Sequence, residues 1–403
     1  MHTHKAARPT RWTRSLTNPF AAYAAGFIVA LCVYSLGYSD LYPPLQPSLK
    51  WFLLSTCLIC VCLAYATRGM VPNSSSKGER FGKHLAIYTA IMGVFVIEVI
   101  ANGGFPLLLI AANADFSYLD FGIPQLHVAF VAFCYFFAVY WFDLYILGQG
   151  KTFLILSTTA MATSVLIVNR GAFILTLIAI IFVYVQRRGL DRRLLLTFAV
   201  VSAATLWGFG VLGDLRTKGA SGESIILSIG DASDKFLNSN IPTELFWPYI
   251  YASSPLANLQ LNITDRAATD SPALYLVLEF LPDFISKRLL SEETIDGADP
   301  LLITDQLTVC TMYGRSFLLM GWLGLVLSFS YFVVISVICL KVLQRSKYFV
   351  AGAGILSSIA FLGIFDNMYV KSGGISLVLL AIFLALFESK AKSEDEVING
   401  TFH

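Results

Sequence analysis

Ten apolar runs, each close to the length that crosses a bilayer, constrain this chain more than any other feature. They lie near 19–37, 49–66, 84–102, 125–148, 152–168, 171–187, 193–211, 316–341, 349–365 and 373–389. A hydrocarbon core about 30 Å thick takes about 20 apolar residues per helix. In lipid the backbone must satisfy its own hydrogen bonds, so the runs are read as helices. None alternates with a period of two, and each is too long for a strand. Of the 403 residues, 56% are hydrophobic and 13% charged, against roughly 25% charged in a globular domain. A single soluble core that apolar would have no polar surface to cover it. An ordinary cytosolic enzyme, a disordered chain and a nucleic-acid binder are thereby excluded. A net charge of +2 implies no polyanionic partner.

The expected fold is therefore an all-α polytopic membrane protein embedded in a lipid bilayer. Residues 1–211 would carry seven spans, 212–315 a large loop, 316–389 three further spans, and 390–403 a tail. Lysines and arginines set the orientation. With the N-terminus in the cytoplasm, the inside segments hold 18 of them, and the short outside segments 38–48, 103–124 and 366–372 hold only Lys371. Both termini are expected inside. Lys5, Arg8, Arg11 and Arg14 precede a first run without a small-residue cleavage site, which is taken as a retained span.

Residues 212–315 carry fourteen acids and seven bases and are expected outside. Three stretches there, over 223–237, 243–259 and 271–290, are apolar enough for short or interfacial helices, with Pro248, Pro255 and Pro282 expected to break them. Loops this long are usually functional. Six of the seven cysteines lie in apolar runs. The Cys57, Cys60 and Cys62 cluster has no nearby His or acid and reads as packing, and Cys310 has no loop partner, so no disulfide framework is expected. Residues 148–152 resemble the end of a phosphate-binding loop. Tyr145 stands where its first glycine belongs and no strand precedes it, so a nucleotide site is not expected.

Several residues can carry chemistry. The run over 154–185 is too long for one span and must turn at Asn169-Arg170-Gly171, at the outer face. Arg170 is then either an interfacial arginine snorkelling to headgroups or an anion ligand, since guanidinium matches phosphate oxygens in a bidentate way. Arg315, where the eighth span begins, carries the same two readings. Arg216, Arg266 and Arg288 are loop bases, either solvated or lining a cavity. Asp366, His127 and Glu98, in that order, are candidates to take a proton from a hydroxyl. The plainer readings are a helix-end charge for Asp366, a structural histidine for His127 and an interhelical hydrogen bond for Glu98. Trp247, Tyr249 and Tyr251 form an aromatic cluster that suits an interface belt as well as a sugar-stacking surface, and Tyr313 beside Arg315 is a further stacking candidate.

Four strings then bear comparison with a known family. GGFPLL at 103–108 with YLDFGIPQLH at 118–127, the Asn169-Arg170-Gly171 turn, PYIYASSPLANL at 248–259, and TVCTMYGRSFLLMGWLGLVL at 308–327 resemble, in order and placement, segments of the bacterial O-antigen and oligosaccharide repeat-unit polymerases (Wzy type). Some members of that family show an arginine followed eleven positions later by glycine in two outer loops, a spacing that no outer arginine has here. The resemblance implies a glycosyltransferase architecture of GT-C-like type in the bacterial inner membrane, with its active site facing the periplasm. It implies polymerisation of oligosaccharide repeat units carried on undecaprenyl pyrophosphate, without metal or cofactor, and a chain-length-determining co-polymerase as partner. Arginines would neutralise the leaving pyrophosphate, and an acid or histidine would take the acceptor proton. If Arg170 and Arg315 share that task, they should lie within about 10 Å of each other across one outer cavity. Two other readings remain: the related O-antigen ligase, which transfers to lipid A core, and a lipid-linked oligosaccharide flippase, which usually shows internal repeats and broken mid-membrane helices.

Overall fold

The computed structural model describes residues 17–70, 79–112, 121–190, 196, 207 and 225–400. The apolar run over 193–211 and Arg216 lie outside the described residues. Each of the other nine runs is helical. They form α1 (Pro19–Tyr34), α2 (Pro47–Thr67), α3 (Phe81–Ala101), α5 (Leu126–Ile146), α6 (Lys151–Leu166), α7 (Arg170–Arg188), α14 (Gly314–Leu343), α15 (Phe349–Leu362) and α16 (Ser372–Gly400), with α4 (Pro106–Ala111) following α3. Six of these nine, α2, α3, α5, α7, α14 and α16, are long and apolar enough to cross a membrane, whereas α1, α6 and α15 are shorter apolar helices. Among the described residues the only β pairing is an isolated bridge between Ser39 and Ala232. The described residues are thus all-α, with several helices suited to a membrane.

Local chemistry starts these helices where the sequence allows. Proline opens α1, α2 and α4, where the first N–H needs no partner. The Asn18 side chain accepts from Ala21 N at 2.9 Å and caps α1. Asn169 caps α7 in the same way, accepting from Ala172 N at 3.0 Å. The expected hairpin therefore turns at residues 167–169, and Arg170 is already the first residue of α7.

Helix α5 is the centre of the bundle. Its most apolar stretch is 78% buried inside the protein, against 17% for the segment containing α3. It packs against α3, α6, α7, α15 and α16. Helix α15, whose sequence is rich in Gly, Ala and Ser, is almost wholly enclosed between α1, α5 and α7. Small residues let backbones approach closely: a Cβ on Gly354 would stand 2.9 Å from the Ala179 carbonyl oxygen of α7.

The large loop is built from α8 (Ile225–Ile229), α9 (Asp234–Leu237), α10 (Phe246–Asp265), α11 (Pro272–Glu279), α12 (Asp283–Leu289) and α13 (Glu292–Asp296). Two of its three prolines do not break helices as expected. Pro248 falls in the first turn of α10, where its missing N–H costs nothing. Pro255 sits inside α10, amid buried Ser253, Ser254, Leu256 and Ala257, and tertiary packing holds the helix through it. Pro282 does separate α11 from α12. Asn258 and Asn262, one turn apart on α10, clamp the following extended segment. Asn258 donates to the Leu307 and Val309 carbonyls and accepts from Ile303 N, and Asn262 exchanges hydrogen bonds with Leu301.

The start of the eighth run differs from expectation. Gly321 has φ 56° and ψ −143°, outside helical space, and divides α14 into residues 314–320 and 322–343. The first arm folds back on the second: Ser316 Oγ meets Ser328 Oγ at 2.7 Å, a pair that a straight helix would hold far apart. Arg315 therefore lies on a short separate arm rather than at the head of a continuous span.

Candidate functional site

The large loop closes over the turn between α15 and α16 and leaves a cavity of about 190 Å³ beneath it. Main-chain bonds fix the closure: Met312 N donates to the Gly363 carbonyl at 2.8 Å, and Asp283 N to that of Val370 at 2.8 Å. The carbonyls of Leu318 and Leu319, at the end of the short arm, accept from Thr269 N and Ser271 N. The walls are the end of α11, the extended chain over 299–312, the short arm of α14 and residues 366–371.

The polar groups in this cavity are unusually dense for a chain so apolar. Arg315 is ion-paired through Nη2 with Asp299, and its Nε has no hydrogen-bond partner among the described residues. Arg266 donates from Nη1 to the main-chain carbonyl of the same Asp299 at 3.2 Å. Asp366 pairs with Lys371 at 3.0 Å and accepts from Asn367 N at 2.7 Å. Glu279 is 3% exposed, and its Oε2 accepts from Ser316 Oγ at 2.9 Å and Asn367 Nδ2 at 3.0 Å. Burial raises the Glu279 pKa above the usual carboxylate range, against the opposing pull of Arg315. Burial likewise pushes the Cys310 thiol up, so that cysteine lines the wall as a neutral group.

The structure distributes the sequence candidates over several places. Arg315 and Asp366 line this one cavity, and Arg266 reaches its Asp299 rim. Arg170 is exposed at the head of α7 and does not line it. His127 and Glu98 form a separate pair: His127 Nδ1 lies 3.0 Å from Glu98 Oε2, with Glu98 fully buried. The Phe121 and Phe130 rings pack beside His127. Turning the Gln125 amide lets its oxygen accept from Arg288 Nη2 at 3.1 Å, which places Arg288 near this pair.

The aromatic candidates divide as well. Trp247 and Tyr251 stack with ring centres 6.2 Å apart, and Tyr251 is exposed. Tyr249 is buried against Tyr38, Tyr42 and Phe246, and its hydroxyl accepts from Tyr38 N. Tyr313 is wholly enclosed, hydrogen-bonded to Tyr23 and packed on Phe27 and Phe52, so it serves as an internal strut with no face open to a sugar.

Sequence reasoning missed Glu279 and Asp299 as site residues. Glu279 did leave a signal, being the one charged residue in the apolar stretch 272–282. The sequence matches no protein-family model, no curated protein and no solved structure.

Proposed function

We propose that the protein is a membrane glycosyltransferase that joins oligosaccharide repeat units carried on undecaprenyl pyrophosphate, at the periplasmic face of a bacterial inner membrane. The observation that carries this reading is the cavity under the large loop. There Arg315, whose Nε has no partner among the described residues, and Lys371 stand among three carboxylates and a buried amide. A lipid pyrophosphate is already a good leaving group. Its departure needs positive charge held in place rather than a proton donor, and a guanidinium supplies that without changing its protonation. Transfer to a sugar hydroxyl also needs an acid-base group, and the cavity holds carboxylates for it. At about 190 Å³ it is smaller than the roughly 300–1,000 Å³ pockets that enclose whole ligands. It suits the reacting centre, with the glycan and the lipid chain lying outside. The excess of lysine and arginine at the opposite loops supports placing this end outside the cytoplasm.

The test is a reconstitution. Purified protein in vesicles, given a synthetic undecaprenyl-pyrophosphate-linked repeat unit, should yield a ladder of regularly spaced glycan products. Transfer of single units to lipid A core alone would assign a ligase. Movement of the lipid-linked unit across the bilayer without bond formation would assign a transporter.

A further inference from the structure

Three carboxylates line the cavity, and their surroundings differ in a way that bears on which of them handles a proton. Asp299 is committed to Arg315, and Asp366 is committed to Lys371. Both are ion-paired, with side chains 53% and 39% exposed. Glu279 is the third. It has no ion pair among the described residues, it is 3% exposed, and only its Oε2 is engaged, by two neutral donors, Ser316 and Asn367.

An ion-paired carboxylate is a weak base, because its partner cation opposes protonation. A desolvated carboxylate held by neutral donors accepts a proton more readily. The hydrogen bonds from Ser316 and Asn367 also fix the carboxylate plane of a residue that lines the cavity. These two residues come from the short arm of α14 and from the α15–α16 turn. The fold thus spends two separate elements on holding one buried acid at the cavity wall.

Resting on the glycosyltransferase reading above, we propose that Glu279 is the proton acceptor of the transfer. The acceptor hydroxyl oxygen forms a bond to the anomeric carbon of the donor sugar. The bond from that carbon to the pyrophosphate oxygen breaks, and its electron pair leaves with the lipid pyrophosphate. The hydroxyl proton passes to the Glu279 carboxylate and from there to water. Arg315 and Lys371 face the departing charge, and Asp366 holds Lys371 rather than the proton. The titratable groups around Glu279 are Arg315 and Asp299, Asp366 and Lys371, Cys310, and Tyr275 on its own helix.

The experiment compares Glu279→Gln, Glu279→Asp and Asp366→Asn with the wild-type protein. It uses vesicles and a synthetic undecaprenyl-pyrophosphate-linked repeat unit, and thermal unfolding confirms that each variant is folded. A general base contributes about 100-fold or more. Glu279→Gln should lower kcat by at least that factor and leave the donor KM within about threefold, because the group acts only as the hydroxyl loses its proton. The wild-type rate should fall on the acid side as a single group protonates. Asp366→Asn should retain that limb, and the residual rate of Glu279→Gln should lack it. Glu279→Asp, with its carboxylate withdrawn by one methylene, should regain part of the rate. A folded Glu279→Gln protein of near-normal kcat, or one that keeps the acid limb, overturns the assignment. A folded wild-type protein that makes no glycosidic bond overturns the parent reading instead, and the proton acceptor falls with it.

Discussion

Asn367 donates its side-chain amide to Glu279 across 88 residues of sequence, at 3.0 Å. The bond joins the last residue of α11 to the turn that precedes α16, and both residues line the cavity. Both residues are buried, at 4% and 3% exposure. Removing the amide leaves a buried carboxylate oxygen with one partner instead of two. Such a loss costs about 1–3 kcal/mol. Asn367→Ala should therefore lower the unfolding temperature in detergent and loosen the carboxylate, with glycan synthesis falling further than the stability loss alone explains. Unchanged stability would mean that the bond is replaced by water.

The protonation of Glu279 gives a stability test with a definite sign. Burial raises its folded-state pKa above its ordinary value of 4.5. Between 4.5 and the raised value, the folded protein binds more protons than the unfolded chain. Stability therefore falls as pH rises through that window. The neutral isostere in Glu279→Gln avoids the penalty. Its unfolding temperature should equal or exceed the wild-type value at neutral pH, and the difference should shrink as pH falls towards 4.5. A difference that widens on acidification contradicts the assigned direction.

Glu98 and His127 form a structural pair, and a double-mutant cycle isolates it. Glu98 Oε1 is already enclosed without a partner among the described residues, so His127→Ala would leave the whole carboxyl group without one there. Leaving a buried polar group without its hydrogen-bond partner costs about 1–3 kcal/mol. Combining His127→Ala with Glu98→Gln should recover much of that loss in thermal unfolding. Additive effects would show that the two residues do not act together.

The folded-back arm that carries Arg315 depends on Gly324. A methyl group there would collide with the Ser316 carbonyl oxygen, a main-chain atom that cannot rotate away. Gly324→Ala should force the arm off the span, destabilise the protein by about 1–3 kcal/mol as an overpacked core does, and abolish glycan synthesis. Full activity in Gly324→Ala would show that the arm tolerates displacement.

Much of this architecture was legible in the sequence because it follows from local pattern. Apolar length marked the helices, Asn169 and Gly171 marked a hairpin, and Pro282 marked a real break. The turn at Gly321 was hidden, since the apolar run passes through it without interruption and only the contact of Ser316 with Ser328 reveals the reversal. The continuity of α10 through Pro255 was equally hidden, because it depends on tertiary burial. Within the site, the charge of Arg315 and the position of Asp366 could be read. The ion pairs to Asp299 and Lys371, and the lack of one at Glu279 among the described residues, arise from non-local closure of the loop. The pairing of His127 with Glu98 spans 29 residues and two helices, which no local pattern encodes.

The proposed transfer depends most heavily on Arg315 as the cation of the reacting centre. The direct measurement is glycan chain length in a strain whose own gene is deleted and replaced by Arg315→Ala, Arg315→Lys or Arg170→Ala, with folded protein quantified in the membrane. Arg315→Ala should leave single repeat units and no long chains. Arg315→Lys should rescue poorly, because an ammonium lacks the planar fork. Arg170→Ala, altering a residue outside the cavity, should keep long chains within about tenfold of the wild-type amount, as a surface charge change would. Long chains from Arg315→Ala, together with their loss in Arg170→Ala, would contradict the account and move the centre to the head of α7.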